Sequence, residues 1–448
     1  MSFEGRPGAY EHYRPVELSW LKQIPHEWSV KKLKFVARFQ GGGTPSKSNL
    51  DYWNGDIPWV SPKDMTRRRI DSAEDSITQA GLLESAARMA PAGSVLLVVR
   101  SGILKHTIPV GLAQIPVALN QDMKAIVPNQ GLDAEYLAWF VEGCQGAFLV
   151  EWRKAGATVE SLEHELIASS QVPLPSLSEQ RAITAFLDRE TTRIDMLVIK
   201  KERLIDLLEE KRVAVISQAV TQGLDPSVPM KESGVEWIGS VPDNWAVAPL
   251  FARYSVHLGK MLDTKRITGD SLLPYLRNID VQWDDVNVKN LPSMDIFPDE
   301  FERYTLRAGD LLVCEGGEVG RTGTWRGELD TCAYQKAIHR LRPKSGLDAP
   351  RYFYYAMRAA AGSRVFVAHG NPNTIPHLTA EQLRLYRFPF PPLEQQIAIA
   401  GYLDERSSEI DGVIAKVVGA IARLREYRTA LITAAVTGEI DVRGGVAW

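Results

Sequence analysis

The sequence predicts a mixed α+β protein in which one frame occurs twice: two globular α/β domains connected by two long helices that pair as an antiparallel coiled coil. Three observations predict this fold. A motif at Val172 returns at Phe388, each copy of that motif opens a long helical stretch, and the segments upstream share an order of short motifs but not their content. The chain has 448 residues, more than one core usually supports. We therefore expect a pseudo-two-fold tandem repeat.

The repeat is clearest where the helices begin. VPLPSLSEQRAITAFLDRETTRID starts at Val172, and FPFPPLEQQIAIAGYLDERSSEID starts at Phe388, 216 residues later. Upstream, IPHEW at Ile24 matches VPDNW at Val241, and AGSVLLV at Ala92 matches AGDLLVC at Ala308. This period is too long for a solenoid, so each copy holds one domain and one appended helix.

The segments between these matching motifs differ between the copies. The first copy contains GGGTPSKSNLDYWNGDIPWV at Gly41, and the second contains GKMLDTKRITGDSLLPYLRNIDV at Gly259. A scaffold that presents two different recognition surfaces would show this pattern. The matches divide the chain into an N-terminal segment (1–24), a first domain (25–175), a first long helix that forms a central spacer (176–223), a linker (224–241), a second domain (242–391), a second long helix that forms a C-terminal spacer (392–438) and a tail (439–448).

Each long helix has an apolar seam. Ser176 and Glu179 form a capping-box pattern, and neither Gly nor Pro interrupts the first helix before Gly223. The second helix repeats apolar residues at alternating spacings of four and three, which is typical of a coiled coil. The predicted seam and partner-contact residues are Leu187, Ile194, Leu197, Leu204, Leu208, Val413, Val417, Leu424, Tyr427 and Leu431. The alternative is that each helix packs only against its own domain.

Composition excludes some classes of protein. Hydrophobic residues make up 45% of the chain and charged residues 24%, and the formal net charge is -3. The whole chain is therefore not a basic nucleic-acid coat, although local basic patches remain possible. Cys144, Cys314 and Cys332 form no C-x-x-C pair and are expected to be buried thiols in a reducing cytoplasm. No apolar run is long enough to cross a membrane, and the N-terminus does not read as a signal peptide.

Signatures of catalysis and metal binding are missing from the sequence. It has no G-x-x-x-x-G-K-[ST] phosphate loop and no H-E-x-x-H motif. N-P-N-T at Asn371 resembles a methyltransferase motif only superficially, and E-E-K at Glu209 lies on the first long helix. We therefore expect no catalytic residues, no metal site and no cofactor bound by this chain.

Basic and amide side chains gather in the divergent segments. Lys and Arg can neutralise phosphate, whereas Asn, Gln and Arg can read base edges. The candidate DNA contacts in the first copy are Ser46, Lys47, Lys63, Arg67, Arg68 and Arg100. Those in the second copy are Lys260, Lys265, Arg266, Arg277, Asn278, Arg321, Gln335, Lys336, Asn371 and Asn373. Two alternatives stay open: the arginine run is a solvated patch, and Asn371 and Asn373 only form turns.

Several motifs together resemble the specificity subunit of type I restriction–modification systems. They are KESGVEWIGSVPDNW at Lys231, GGTPSKSNLDYWNGDIPWVSPKDM at Gly42, and the paired PLP and PFP segments that lead into the helices. The resemblance covers nearly the whole chain. It adds Thr44 to the first site, together with Ser46 and Lys47, assigns Lys63 to phosphate, and suggests that Trp53 and Trp59 brace the loop. The second copy lacks the G-G-T-P element.

The resemblance implies a non-catalytic subunit with two target-recognition domains, each of which reads one half of an asymmetric, bipartite sequence in double-stranded DNA. The helices would set the spacer and bind two adenine methyltransferase subunits, and restriction–translocase subunits would join the complex. S-adenosylmethionine, ATP and Mg²⁺ are expected on those partners. The alternatives are an adaptor that binds protein and an orphan recognition subunit of a methylation-only system.

Overall fold

The computed structural model describes residues 8–154, 156, 158–262, 268–366 and 377–443. The chain forms two compact units, Met1–Lys201 with Gly419–Trp448, and Glu202–Val418. The helices α6 (Leu177–Gln222) and α11 (Leu393–Thr437) each contribute residues to both units. Their bounds agree with the predicted helical segments to within one residue at each end.

The first unit packs short strands around a buried helix. Its strands are β1 (Tyr13–Leu18), β2 (Leu21–Pro25), β3 (Ser29–Lys32), β4 (Ala37–Gly41), β5 (Trp53–Val60), β6 (Arg69–Ile70), β7 (Asp75–Ile77), β8 (Met89–Ala90), β9 (Val95–Val98), β10 (Val110–Ala113), β11 (Val117–Leu119), β12 (Met123–Pro128) and β13 (Gln171–Leu174). Its short helices are α1 (Leu33–Val36), α2 (Gln79–Leu83), α3 (Ala134–Gly143), α4 (Gln145–Glu151) and α5 (His164–Ser169).

Two sheets form the centre of this unit. One has the order β4-β12-β9-β10-β6, and the other has the order β7-β5-β11-β8. All four residues of β9 are buried: Val95 and Leu97 join the core that contains α3, whereas Leu96 and Val98 join a second core with β11. Successive side chains of a strand point to opposite faces, so a strand covered on both faces is apolar throughout.

The second unit repeats this arrangement. Its strands are β14 (Met230–Glu232), β15 (Ser240–Pro242), β16 (Ala246–Pro249), β17 (Tyr254–Leu258), β18 (Leu272–Leu276), β19 (Ser293–Asp295), β20 (Leu311–Cys314), β21 (Thr322–Thr324), β22 (Ala333–Tyr334), β23 (Ile338–Pro343) and β24 (Arg387–Phe390). Its short helices are α7 (Leu250–Arg253), α8 (Phe301–Tyr304), α9 (Pro350–Gly362) and α10 (Ala380–Leu385).

The sheet topology confirms the tandem repeat. The order β17-β23-β20-β21 matches β4-β12-β9-β10, and β19-β18-β22 matches β7-β5-β11. Each smaller sheet contains one parallel pair: Leu119 of β11 lies opposite Val60 of β5, and Tyr334 of β22 lies opposite Leu276 of β18. The three cysteines are buried and free, as expected.

The segment predicted as a linker, 224–241, is structured. β14 and β15 form an antiparallel hairpin there, as β1 and β2 do in the first unit. Ile238 and Val241 are buried in the core of the second unit. ELSW at Glu17 in the first hairpin and GVEW at Gly234 in the second occupy corresponding places in the repeat.

The buried seam of the long helices is displaced by one residue from part of the predicted seam. Leu187, Ile194, Val417 and Leu431 are buried, and Leu208 and Leu424 are half-buried. Leu197, Leu204, Val413 and Tyr427 are 40–56% exposed, so their placement in the seam is corrected. The buried or half-buried positions alternate by four and three along Leu187, Thr191, Ile194, Val198, Lys201, Ile205, Leu208 and Arg212.

Polar residues in the seam explain this error. The matching positions of α11 lie 216 residues later, at Leu403, Ser407, Ile410, Ile414, Val417, Ile421, Leu424 and Arg428. Arg428 Nε lies 3.1 Å from Asp195 Oδ1 within the first unit, and Arg212 pairs with Asp411 within the second. These two pairs are equivalent in the repeat. A search for large apolar residues passes over such positions and selects exposed neighbours instead.

A charged clamp holds each domain on its long helix. In the first unit, the Arg68 guanidinium stacks 3.6 Å from the Trp139 ring centroid, and its Nη1 lies 2.8 Å from Glu142 Oε2. Trp139 Nε1 donates to Asp188 Oδ1 at 3.1 Å. Burial lowers the pKa of Arg68 and raises that of Glu135 beside it. Arg68, which was predicted to contact DNA, therefore makes internal contacts with α3, and α3 reaches the long helix through Trp139.

The second clamp has the opposite polarity. Asp284 stands at the position of Arg68, and Arg351 stands at the position of Glu135. Arg351 forms ion pairs with Asp284 and with Asp404 of α11. Tyr355 donates to Asp404 Oδ1 at 2.7 Å, as Trp139 does to Asp188. The helix carboxylate is thus common to both clamps, while the charges on the domain are exchanged.

Adjacent residues of α6 test the corrected seam. We expect Ile205→Ala to lower the free energy of unfolding by about 1–2 kcal/mol because it removes half-buried apolar surface. Leu204→Ala should change it by less than about 0.5 kcal/mol, since that side chain is exposed. Urea unfolding of both variants measures the difference. A larger loss for Leu204→Ala would restore the seam predicted from the sequence.

Neighbouring arginines test the first clamp. Arg68→Ala should destabilise the first unit by about 1–3 kcal/mol because it removes the packing against Trp139 and one of the two arginine partners of Glu142 and of Glu135 in a half-buried site. The control is Arg67→Ala, whose side chain is 48% exposed beside Asp71 and should cost less than about 1 kcal/mol. Hydrogen exchange of the α3 amides reports the local loss. If the α3 amides were equally protected from hydrogen exchange in both variants, the clamp would be contradicted.

Candidate nucleic-acid interface

Three loops converge where the parallel strands β5 and β11 of the first unit end. β5 ends at Val60 and continues into 61–64, and β11 ends at Leu119 and continues into 120–122. The third loop, 42–47, follows β4 and is joined to β11 because Gly43 N donates to Leu119 O at 2.8 Å. Ligands commonly bind outside the carboxyl ends of parallel strands, where such loops gather.

The second unit gathers the same three loops. Lys260 N donates to Tyr334 O at 3.0 Å, and Gln335 N donates to Leu276 O at 3.0 Å. The corresponding bond in the first unit runs from Asn120 N to Val60 O, also at 3.0 Å. The equivalent loops are therefore 259–262, 277–280 and 335–337.

A glycine permits the closest approach in both units. A Cβ on Gly42 would collide with the carbonyl oxygens of Leu119 and Asn120, and a Cβ on Gly259 would collide with those of Tyr334 and Gln335. Only glycine lets the backbone cross the end of the parallel strand this closely. Although the second copy lacks G-G-T-P, Gly259 supplies the essential part of that element.

Two tryptophans brace loop 42–47. Trp59 Nε1 donates to Gly43 O at 3.0 Å, and Trp53 Nε1 donates to Ser46 O at 3.1 Å. Their rings meet edge to face at 5.2 Å, and Trp59 is buried. The loop therefore has a fixed backbone while Ser46 and Lys47 stay exposed.

The other predicted residues of the first site are mostly occupied by internal partners. Lys63 Nζ lies 2.9 Å from Asp75 and 3.1 Å from Glu74, and these bonds raise its pKa. Arg67 pairs with Asp71, and Arg100 pairs with Asp122 at 2.5 Å. Because Asp122 ends loop 120–122, Arg100 supports that loop from the side.

The predicted residues of the second site largely build its loops. Arg277 binds both carboxylate oxygens of Asp280 at 2.8 Å, and these bonds raise its pKa. Arg321 Nη2 donates to Asn278 Oδ1 at 2.9 Å, and Asn278 Nδ2 donates to Gly316 O at 3.0 Å.

The remaining predicted residues of the second site differ in their surroundings. Lys260 is tied to Glu300 and to the carbonyl of Asp295. Lys336 is exposed without an ion-pair partner in the described part of the chain, and Gln335 is half-buried. Lys265, Arg266, Asn371 and Asn373 lie outside the described residues.

Sequence reasoning missed three residues of these loops. Asn120 and Gln121 follow β11, and the Thr44 hydroxyl donates to the Gln121 carboxamide oxygen. Ile279 is 70% exposed in loop 277–280. The signal was available in the repeat itself, because ALNQDMKAI at Ala118 matches AYQKAIHRL at Ala333 with Asn120 and Gln121 beside Gln335 and Lys336.

The loops offer hydrogen-bonding groups and positive charge. Within the described ranges, no cluster of three or more His, Cys, Asp or Glu side chains is placed to hold a metal ion. In the same part of the chain, every helix is too short or too polar to cross a bilayer. What the loops can do chemically is bind a polar surface such as base edges and phosphates.

Comparison with known proteins gives the same architecture. The chain is 37% identical over 207 residues to the Escherichia coli type I restriction enzyme EcoR124I/EcoR124II specificity subunit, which covers 46% of this chain and 50% of that subunit. It therefore spans about half of that relative. The StySPI specificity subunit of Salmonella potsdam is 19% identical over 438 residues, covering 94% of this chain and 91% of that one.

Two solved structures share the fold. A chain from a study of assembly and conformational transition of a type I R-M system aligns with a TM-score of 0.69 at 16% identity, over 93% of this chain and 99% of that one. The HsdS subunit from Thermoanaerobacter tengcongensis aligns with a TM-score of 0.55 at 15% identity, over 93% and 98%. The family model for the type I restriction modification DNA specificity domain matches residues 25–205 and 258–413. The chain therefore belongs to the type I restriction–modification specificity family.

Proposed function

We propose that this chain is the DNA-reading subunit of a type I restriction–modification complex. Each globular domain reads one half of a bipartite target in double-stranded DNA through its three loops. The observation that carries the proposal is that both units gather the same loops on the same backbone, yet present different side chains. Because Gln121 and Lys63 of the first unit correspond to Lys336 and Ile279 of the second, the two half-sites differ and the target is asymmetric.

The chemistry of the complex is assigned to partner subunits. We propose that this chain has no catalytic role and binds neither S-adenosylmethionine, ATP nor Mg²⁺ itself. Two adenine methyltransferase subunits would supply methyl transfer, and restriction–translocase subunits would supply ATP-dependent cleavage in the cytoplasm. The sequence supports this assignment because it lacks a phosphate loop and a methyltransferase motif.

The long helices are proposed to set the spacer and to bind the methyltransferase subunits. α6 and α11 have identical heptad registers, so their length fixes a distance that side-chain changes in the domains leave unaltered. Their exposed apolar residues support a partner surface. In the first unit these include Met196, Leu197 and Tyr427, and in the second Leu204, Leu207 and Val413.

Methylation mapping tests the proposed function. Co-expression of this chain with the methyltransferase encoded beside it should place N6-methyladenine at one bipartite, asymmetric motif with a fixed spacer. Single-molecule sequencing of the host genome detects the motif, and the methyltransferase alone is the control. A soluble complex that leaves the genome unmethylated would contradict the proposal and favour a protein-binding adaptor.

Lengthening the helices tests the spacer role. Seven residues inserted after Asp206 and seven after Val417 preserve the heptad register and add about 10 Å to each helix. The methylated motif should gain about three base pairs of spacer, since base pairs are about 3.4 Å apart, and both half-sites should stay the same. Insertions of four residues create a stutter that unwinds the helix pair locally, and they should lower methylation relative to the seven-residue insertions. An altered half-site after the seven-residue insertion would argue against separate reading and spacing.

A further inference from the structure

One exposed position has the same backbone setting in both domains. Asn120 and Gln121 follow β11, and Gln335 and Lys336 follow β22, directly after the residues that pair with β5 and β18. Met123 N donates to Asn120 O at 3.3 Å, and Ile338 N donates to Gln335 O at 3.0 Å. Both loops therefore turn back into the next strand through the same bond. Gln121 and Lys336 occupy equivalent positions at the tip of this turn.

The turn has little freedom to move. In the first unit, the Asn120 side chain accepts from Asp122 N at 2.9 Å, and Arg100 holds the Asp122 carboxylate. In the second, Lys336 N donates to Lys260 O at 2.9 Å. The glycines Gly42 and Gly259 pack against the carbonyls of these same turns. A side chain at the tip is consequently presented from a fixed base, which is what specific recognition of a base edge requires.

The two tip side chains are available, whereas most of their neighbours are not. Gln121 is exposed, its carboxamide oxygen accepts a hydrogen bond from the Thr44 hydroxyl, and its Nε2 donates a long hydrogen bond of 3.5 Å to Asp122 Oδ2. The carboxamide nitrogen carries two hydrogens, so one of them remains to donate to a base. Lys336 is exposed and makes no side-chain contact within the described residues. Lys63, Arg277 and Lys260, by contrast, are held in ion pairs with carboxylates.

We propose that Gln121 and Lys336 are the equivalent base-reading residues of the two domains, with Gln121 reading an adenine and Lys336 a guanine. This inference rests on the proposed function and deepens it. A carboxamide donates to N7 and accepts from the N6 amine of adenine, whereas an ammonium donates to O6 and N7 of guanine. The Thr44 hydroxyl orients the Gln121 carboxamide and acts as a positioning group. Exchanging glutamine and lysine between the two positions should therefore exchange the preferred base, adenine or guanine, at one position of each half-site.

Reciprocal substitutions test this inference. In the complex with its methyltransferase, Gln121→Lys should change one base of the half-site read by the first domain, from adenine to guanine. Lys336→Gln should make the opposite change in the other half-site. The spacer and the unaltered half-site should stay the same. Each variant should shift the ratio of methylation at the two bases by about ten- to a hundred-fold, measured by single-molecule sequencing.

Controls come from the opposite ends of the same strands. Gln114 precedes β11 and Lys344 follows β23, and both are exposed, so Gln114→Lys and Lys344→Gln make the same chemical changes away from the loops. These controls should leave the motif unaltered. Thr44→Val should weaken the preference at the Gln121 base without affecting the half-site of the second domain.

The outcomes separate this inference from the proposed function. Full methylation by Gln121→Lys and Lys336→Gln at the original motif would overturn the inference and leave the proposed function standing. If Gln121→Lys gives no methylation, Gln121→Ala decides: relaxed choice at one base supports the inference, and an unchanged motif overturns it. Absence of any motif with the unaltered chain would instead refute the proposed function.

Discussion

The site in each domain depends on one steric constraint, the passage of a glycine over the end of a parallel strand. At Gly42 and Gly259 the backbone comes so near to the carbonyls of the next loop that any Cβ would collide with them. This approach joins the loop after β4 to the parallel strands β5 and β11, and the loop after β17 to the parallel strands β18 and β22. Three loops are thereby brought together in each domain. Trp59 then fixes Gly43 by a hydrogen bond, and Arg100 fixes Asp122. Rigid loop bases allow a few exposed side chains to carry recognition.

Duplication preserved this frame while charges and exposed side chains changed. The heptad seam has the same register in both helices, and Arg212 with Asp411 repeats Arg428 with Asp195. The domain-to-helix clamps keep the carboxylates Asp188 and Asp404, whereas the ion pair within the domain exchanges its signs, from Arg68 with Glu135 to Asp284 with Arg351. An exchanged pair retains its attraction, whereas a mixed pair such as Arg68 against an arginine would be repulsive. The two domains have therefore diverged in their internal contacts as well as in their loops.

The sequence predicted the repeat, both long helices and the loop at Gly42, because duplication and heptad spacing leave direct traces in the order of residues. It gave less information about which partner each charged side chain contacts within the fold. Arg68, Arg277 and Arg321 were chosen for their charge, but their partners Glu142, Asp280 and Asn278 are brought to them by the fold. Composition alone cannot distinguish a cation that supports a loop from one that binds a ligand. Leu197 and Leu204 were placed in the seam for a related reason, since the size of an apolar side chain does not determine whether it is buried.

The proposed site requires the same three loops of each domain to contact the bases. Electron cryomicroscopy of the chain with its methyltransferase subunits, bound to a duplex that carries the mapped target, tests it most directly. The proposed site predicts that loops 42–47, 61–64 and 120–122 contact one half-site, with Gln121 at an adenine edge. It also predicts that loops 259–262, 277–280 and 335–337 contact the other half-site, with Lys336 at a guanine. DNA bound against a different face of either domain, with these loops in solvent, would contradict the account.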